Sequence, residues 1–342
     1  MKILFIHGDT RGPGEGGGAE SLLRDQAQGL KKLGHESAWW SGQGSLEQAI
    51  EQFQPDVCHL MTLHCYMGLA PAVYLQKHNI PHVWHVQDYW PWCEGRMLIR
   101  DGQSCPAVEG ECDPGCSQRE RRNYLEICNG SFIVAGNAYT AEIYRRNGLR
   151  CDAVVELGVD VEMFSPSANH RAAIGNCTEI TESFKGEKRE VSIYTSCAWP
   201  GAPWKGMDVL REALAGTPYE ALLISGVPRD KVASELKKAD IFVFPSWYEE
   251  TFGLCLCEAM ASGCACIAAD SAGAKAQIEP GVTGLLVQKQ NVAELRAAIL
   301  KLAQDAELRG RLGMAARKHA LWEHSLEAMA ARWVKVYENA NL

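Results

Sequence analysis

The sequence predicts an α/β protein with two doubly wound parallel sheets that face each other across a cleft. Short runs of β-branched and aromatic residues alternate with helical patterns along the whole chain. A polar segment at 165–190 separates two such series, and 342 residues are enough for two ordinary domains. Sheets of this kind bind ligands beyond the carboxyl ends of their strands, so we expect the functional site there.

The strand and helix patterns predict the domain organisation. Beyond Val292 the pattern is continuously helical, and Trp322, Met329, Trp333 and Tyr337 form an apolar stripe. We therefore predict a first domain at 1–165, a second at 166–322 that lacks about one βα unit, and a C-terminal helix at 323–342 that packs back on the first domain. The predicted strands are 2–8, 56–61, 82–88, 131–136 and 153–158, then 191–197, 220–226, 240–246, 264–270 and 283–288.

The charge balance and the apolar pattern exclude some classes of partner. Thirty-four basic against 42 acidic residues give a net charge of −8, which repels a polyanionic backbone, so we do not expect nucleic acid binding. No stretch of about 18 apolar residues occurs. We predict a cytoplasmic protein, with peripheral association at the inner face of the membrane as an open alternative. The oligomeric state cannot be read from the sequence.

A glycine-rich segment follows the first predicted strand. It reads HGDTRGPGEGGGAESLL and opens a helix. Free N–H groups at a helix start suit an anion, and Gly17 and Gly18 would let a ligand approach the backbone closely. The alternative is a flexible loop, because glycine-rich turns are common.

Two glutamates follow the predicted strand at 240–246. The stretch YEETFGLCLCEAMASG places Glu250 before a helix start and Glu258 near its second turn. Carboxylates accept hydrogen bonds from the vicinal hydroxyls of a sugar, while helix N–H groups suit a diphosphate. The pattern favours a sugar nucleotide as ligand, against the alternative of a capping or solvated pair.

The same residues resemble the donor-site motif of the retaining glycosyltransferases of family 4, which have the GT-B fold with two Rossmann-like domains. The E-T-F-G-L-x-x-x-E-A-M-A-x-G pattern carries the resemblance. Further segments agree in order and extend it over nearly the whole chain: GGGAE at 16–20, PDVCHLMTLH at 55–64, LGVDVEMFSP at 157–166 and PWKG at 203–206.

The resemblance implies roles for individual residues. Lys205 would hold the donor diphosphate, Glu258 the ribose hydroxyls and Glu250 the transferred sugar. It implies charge stabilisation by Lys205 and the helix, without a catalytic divalent metal. The residues that it places at the donor are Gly17, Gly18, Lys205, Gly206, Glu250, Thr251, Phe252, Gly253, Leu254 and Glu258, and the predicted catalytic residues are Glu250, Lys205, His64 and His85.

The sequence departs from the family pattern at two places. Pro200 stands where relatives usually have an arginine that binds phosphate, and Gln87 stands where many have a histidine. His85 shares a strand face with Gln87 and is the candidate substitute, with a plain structural role as the alternative. His64 matches a histidine of close relatives, again with a core role as the alternative.

Four cysteines lie in the Gly/Pro-rich segment 91–118, in which we predict no helix or strand. Cys93, Cys105, Cys112 and Cys116 could bind zinc or an iron–sulfur cluster, form disulfides or stay free. We expect an occupied site to be structural, because a closed four-thiolate site leaves no open position for catalysis.

The predicted function is transfer of a sugar, with retention, from a nucleoside diphosphate sugar to an unidentified acceptor: a saccharide, a lipid-linked saccharide or a small molecule. A phosphorylase or epimerase of the same fold is disfavoured by the motif around Glu250. A second alternative is a degenerate transferase fold that acts as a metal- or redox-responsive binding protein through its cysteines.

Overall fold

The computed structural model describes residues 1–8, 18–61, 63, 67–91, 93, 98–100, 103–109, 121–167, 191–197 and 200–340. The chain forms two compact units. Unit 1 consists of Met1–Gly158 and Leu326–Leu342, and unit 2 of Val159–Ser325. The chain therefore enters unit 2 earlier than the boundary placed at residue 165, and leaves it again before its last helix.

Unit 1 is built on a six-stranded sheet of the described residues, with the order β2-β1-β3-β4-β7-β8 and all pairs parallel. Its strands are β1 (Lys2–His7), β2 (Glu36–Trp40), β3 (Val57–Met61), β4 (His82–Val86), β7 (Phe132–Ala135) and β8 (Ala153–Val154), beside a separate hairpin of β5 (Ile99–Arg100) and β6 (Gln103–Ser104). Its helices are α1 (Gly18–Lys32), α2 (Leu46–Phe53), α3 (Ala70–Lys77), α4 (Arg121–Asn129), α5 (Ala138–Arg146) and, from the end of the chain, α12 (Leu326–Ala340).

Helix α12 completes the core of unit 1. It packs closely against α1, where a Cβ on Gly29 would lie 2.5 Å from the carbonyl oxygen of Leu326. Trp333 and Tyr337 are fully buried. The Tyr337 hydroxyl lies 2.7 Å from Nδ1 of His59 on β3 and accepts a hydrogen bond from Gln26 of α1 at 2.9 Å. A buried polar group needs such partners, so this cluster specifies how α12 docks.

Unit 2 contains a five-stranded parallel sheet in its described part, with the order β10-β9-β11-β12-β13. The order reverses direction at β9 and β11, which is the switch point where doubly wound sheets bind ligands. Its strands are β9 (Ile193–Ser196), β10 (Ala221–Ile224), β11 (Ile241–Phe244), β12 (Ala265–Ala269) and β13 (Leu285–Val287). Its helices are α6 (Met207–Leu214), α7 (Arg229–Leu236), α8 (Leu254–Ala261), α9 (Ala272–Gln277), α10 (Val292–Gln304) and α11 (Ala306–Glu323).

Two parallel-sheet units and a returning C-terminal helix confirm the predicted fold class, and three local features differ from what the sequence pattern indicated. The edge strand β2 was missed because its residues, ESAWW, are half exposed and do not alternate cleanly between buried and exposed side chains. The tail is not one helix, since Asp305 ends α10 and caps α11 by accepting from the N–H of Leu308. Trp322 is 80% exposed and does not belong to the buried stripe. Among the described helices, none is long and apolar enough to cross a bilayer.

Candidate functional site

The Lys-Gly turn of unit 2 is fixed against the end of β11. Residues Pro203–Lys205 form a short 3-10 turn after β9. The N–H of Trp247 donates to the carbonyl of Trp204 at 2.9 Å, and the Trp247 indole N–H donates to the carbonyl of Pro203 at 2.9 Å. The loops that follow β9 and β11 are therefore tied together at the switch point of the sheet.

Gly206 is required by this arrangement for two reasons. Its φ of 70° lies in the left-handed region, which glycine adopts without steric cost. A Cβ on Gly206 would also lie 2.1 Å from the carbonyl oxygen of Pro245, closer than any real contact. The glycine of the PWKG segment thus lets the turn approach β11, which brings Lys205 to the loop that carries Glu250.

Lys205 and Glu250 form a nearly buried ion pair. Nζ of Lys205 lies 2.6 Å from Oε1 of Glu250, with 13% and 9% of the two side chains exposed. The Ser246 hydroxyl donates to the same carboxylate oxygen at 2.9 Å, and the Tyr248 hydroxyl donates to Oε2 at 2.5 Å. Two neutral donors and one cation thus fix the position of this carboxylate.

Burial and the carboxylate act on the pKa of Lys205 in opposite directions. Burial, the largest effect, lowers the pKa, while the charge of Glu250 and its hydrogen bond raise it. The attraction outweighs the burial and leaves the pKa above its usual value. Lys205 therefore stays a cation at neutral pH.

Glu258 is held by a residue that the sequence reasoning missed. Nε of Arg229, the first residue of α7, donates to Oε1 of Glu258 at 2.9 Å, and the side chains are 11% and 10% exposed. The guanidinium group also lies over the ring of Phe164, 5.0 Å from its centroid. An arginine at the start of a helix carries no local signal for this role, since only the fold brings it to Glu258.

The two carboxylates converge on the first turns of α8. Burial raises the pKa of the Cys255 thiol, and the charges of Glu250 and Glu258 raise it further, while Lys205 lowers it. Cys255 is the second residue of α8, so both carboxylates and Lys205 act electrostatically on this end of the helix. The predicted residues Lys205, Gly206, Glu250 and Glu258 thus share one region of unit 2.

The segment between the two glutamates adopts a conformation that opens α8. Gly253 precedes the helix with φ 90° and ψ 64°, a left-handed position that favours glycine. Phe252 is 3% exposed, and its ring lies 5.5 Å from that of His324. Leu254 begins the helix, and the N–H groups of Leu256 and Cys257 donate to the carbonyl of Gly253 at 3.0 Å and 3.4 Å.

Several predicted residues are not brought to this region. Gly17 and His64 lie outside the described residues, and Gly18 starts α1 in unit 1. His85 is 1% exposed on β4, with its ring 5.0 Å from that of Trp333 and 5.8 Å from that of His59. Burial lowers the pKa of His85 to about 3, so the ring is neutral. This enclosed position places His85 in the core of unit 1, as in the structural alternative, and its catalytic role stays a prediction.

The cysteine segment 91–118 is described only in part, and that part corrects the expectation that it has no regular structure. Strands β5 and β6 pair, and Pro106–Glu109 form a 3-10 turn. The Asn147 side chain, at the end of α5, donates to the carbonyl of Ala107 at 2.7 Å. This hydrogen bond ties the turn at Pro106–Glu109 to the end of α5.

The predicted metal site is not assembled within the described part of the chain. Cys105 is 8% exposed and Cys93 is half-buried, whereas Cys112 and Cys116 lie outside the described residues. Among the residues that are described, no group of three or more His, Cys, Asp or Glu side chains could hold a metal ion. The four-cysteine site stays a prediction.

Comparison with known proteins finds sequence relatives of this region. Residues 203–319 match the model for "Glycosyl transferases group 1". A D-inositol 3-phosphate glycosyltransferase from Rhodococcus erythropolis is 32% identical over 311 residues, covering 75% of this chain and 66% of that protein. One from Nocardia farcinica is 35% identical over 114 residues, 31% of this chain and 25% of that protein. Several curated relatives are thus matched over only about a quarter of their length.

Solved structures share the fold of the whole chain. Sucrose-phosphate synthase from Thermosynechococcus elongatus aligns with a TM-score of 0.73 at 18% identity, over 99% of this chain and 98% of that one. Anabaena HepE in complex with UDP and glucose aligns with a TM-score of 0.70 at 19% identity, over 99% of both chains. At such low identity the likeness concerns the fold, whereas the match at 203–319 covers the residues that hold Glu250 and Glu258. Over residues 203–319, the second unit is therefore similar in sequence to the glycosyl transferases of group 1.

Proposed function

We propose that this protein transfers a sugar from a nucleoside diphosphate sugar to an acceptor, with retention at the anomeric carbon. The observation that carries the proposal is the convergence of Lys205, Glu250 and Glu258 on the start of α8, at the switch point of the unit 2 sheet. This position and these side chains suit a diphosphate flanked by two hydroxyl-bearing sugars.

Each group has a distinct part in the proposed mechanism. Lys205 and the N-terminal N–H groups of α8 stabilise the negative charge that develops on the departing diphosphate. Glu258, oriented by Arg229, accepts from the ribose hydroxyls. Glu250, oriented by Ser246 and Tyr248, contacts the transferred sugar. Attack on the same face of the sugar would give retention.

Donor binding begins with an exchange of partners in this proposal. Lys205 is paired with Glu250, and Arg229 with Glu258, so the four side chains compensate each other's charge. A diphosphate draws the Lys205 ammonium towards its oxygens, while the hydroxyls of the sugar give Glu250 new donors. The free energy gained on donor binding is then smaller than it would be for an unpaired lysine, because one ion pair replaces another.

Binding of nucleotide tests the donor site directly. HepE is described in complex with UDP, which makes UDP the first probe, followed by the other nucleoside diphosphates and their sugars. We expect thermal stabilisation of the wild type by the correct nucleotide. By calorimetry, Glu258→Gln should weaken binding at least about tenfold, since a charge-assisted bond to a hydroxyl is lost.

Glu235→Gln is the matched control. Glu235 pairs with Lys238 at the exposed surface of unit 2, so the same chemical change there should leave nucleotide affinity intact. Equal affinity of wild type and Glu258→Gln would show that the donor-site assignment is wrong. Once a donor is identified, the anomeric configuration of the product, determined by nuclear magnetic resonance, tests retention.

We further propose that catalysis needs no divalent metal and that a structural zinc or iron–sulfur cluster occupies Cys93, Cys105, Cys112 and Cys116. Transfer should persist in the presence of a chelator, because Lys205 and α8 provide the positive charge. Metal analysis with visible spectra of anaerobically purified protein distinguishes zinc from iron–sulfur, and absence of both metals would contradict the structural site. If a chelator inactivates the protein without unfolding it, the claim that catalysis needs no divalent metal is contradicted.

A further inference from the structure

Helix α9 holds the loop between β11 and α8 through a set of contacts that the donor motif does not predict. Glu249 accepts a hydrogen bond from the N–H of Ala272 at 2.8 Å. The N–H of Gly273 donates to the carbonyl of Glu250 at 2.8 Å. Nε2 of Gln277 donates to the carbonyl of Phe252 at 2.5 Å. One short helix thus binds three successive parts of the loop.

These contacts determine the direction of the loop's N–H groups. In a trans peptide the C=O and the following N–H point in opposite directions, and the chain has no cis bond in its described part. The carbonyls of Glu250 and Phe252 both point towards α9. The N–H groups of Thr251 and Gly253, which share those two peptide planes, therefore point away from α9.

Gly273 permits the close approach on which this geometry depends. A Cβ on Gly273 would lie 2.2 Å from the carbonyl oxygen of Phe252 and 2.8 Å from its Cα. The contacted atoms are backbone and cannot turn aside. Only glycine lets α9 reach the loop at this point.

Gln277 contributes an amide that can act in one orientation only. Its side chain is buried, at 1% exposure, and Nε2 lies 2.5 Å, 3.2 Å and 3.5 Å from the carbonyls of Phe252, Gly273 and Gly253. A flipped amide would set its own oxygen against these acceptors. The side chain is thus a donor group enclosed by backbone oxygens.

We propose that Gln277 is a positioning residue for the donor diphosphate: by holding the Phe252 carbonyl, it directs the N–H group of Gly253 towards the phosphate oxygens, while the N–H of Gly273 holds the Glu250–Thr251 peptide beside it. The inference rests on the proposed function and deepens it, because it names a residue outside the motif that prepares the backbone for the ligand. Preorganised donors cost no reorganisation when charge develops, so this loop contributes to stabilisation of the leaving group.

The test is Gln277→Met, which keeps length and burial but removes the donor. Gln26→Met is the matched control, because Gln26 is also a fully buried glutamine that donates, to Tyr337 in the core of unit 1. We expect both variants to unfold at lower temperature. We expect only Gln277→Met to lose UDP affinity, by about tenfold when measured well below its melting temperature.

Amide hydrogen exchange of a peptide that spans residues 249–256 gives a readout without nucleotide. It should be faster in Gln277→Met than in the wild type and unchanged in Gln26→Met. Unchanged exchange of that peptide, or equal loss of UDP affinity in both variants, would overturn the role of Gln277. If the exchange result holds but the wild type binds no nucleoside diphosphate, the proposed function fails while the orientation of the loop by Gln277 stands.

Discussion

Nζ of Lys205 lies 2.6 Å from Oε1 of Glu250, although the two residues belong to loops that follow different strands. Two features of the chain produce this contact. Gly206 lets its turn pass against Pro245, and Trp247 binds the carbonyls of Pro203 and Trp204. The ion pair therefore depends on the loops after β9 and β11 keeping their positions at the switch point of unit 2.

Removal of one partner should cost more than removal of both. Lys205→Met leaves the nearly buried Glu250 carboxylate without its cation, and we expect a loss of about 3 kcal/mol in the free energy of unfolding. In the double variant Lys205→Met/Glu250→Gln no charge is left uncompensated, so we expect a loss of about 1 kcal/mol. Urea denaturation of the wild type, Lys205→Met, Glu250→Gln and the double variant measures the coupling energy of the pair. Additive losses would show that the pair does not interact energetically.

Substitution of Gly206 separates steric contact from backbone strain. Gly206→Ala introduces a Cβ at 2.1 Å from the Pro245 oxygen in addition to the strain of a left-handed φ. Gly216→Ala has the strain alone, since Gly216 has a φ of 76° and open space around it. We expect a loss of about 1 kcal/mol for Gly216→Ala and at least twice that for Gly206→Ala. Equal losses would contradict the close approach.

The buried histidines of unit 1 should make its stability depend on acid. Burial lowers the pKa of His85 to about 3, and burial and the neighbouring His85 lower that of His59 well below 6.5. Both rings are thus neutral when folded but take up protons below about pH 6.5 when unfolded. Each of the two histidines therefore lowers the free energy of unfolding by about 1.4 kcal/mol for every pH unit below about 6.5.

The measurement is the free energy of unfolding at several pH values between about 5 and 7. His85→Leu should reduce the slope by about 1.4 kcal/mol per pH unit, because one proton fewer is bound on unfolding. An unchanged slope would indicate that His85 is protonated in the folded protein, which its burial at 1% exposure argues against.

The two C-terminal tryptophans should differ strongly. Trp333→Ala removes a fully buried ring that packs on His59 and Tyr337, and we expect a loss of about 3–5 kcal/mol. Trp322 is 80% exposed, so Trp322→Ala should change the free energy of unfolding by about 0.5 kcal/mol or less. Comparable losses in chemical denaturation would mean that Trp322 is covered in solution.

The sequence predicted those features that depend on local pattern. Glu250, Glu258 and the start of α8 were found because a strand, a turn and a helix lie within one short stretch. Arg229 and Gln277 were missed because they reach the site only through the fold, Arg229 from the start of α7 and Gln277 from the end of α9. Trp322 was misplaced because the apolar periodicity suggests one continuous helix, whereas the chain breaks the helix at Asp305 and again at Ser325.

The return of α12 to unit 1 has a consequence for synthesis. The strands of unit 1 leave the ribosome first, yet the helix that covers their His59 face follows only after Ser325. At 5–20 residues per second, the intervening unit takes roughly 10 to 30 seconds to emerge. During that interval α12 does not yet cover the apolar sheet face that carries His59 and His85. The nascent chain is then exposed to aggregation until α12 has emerged.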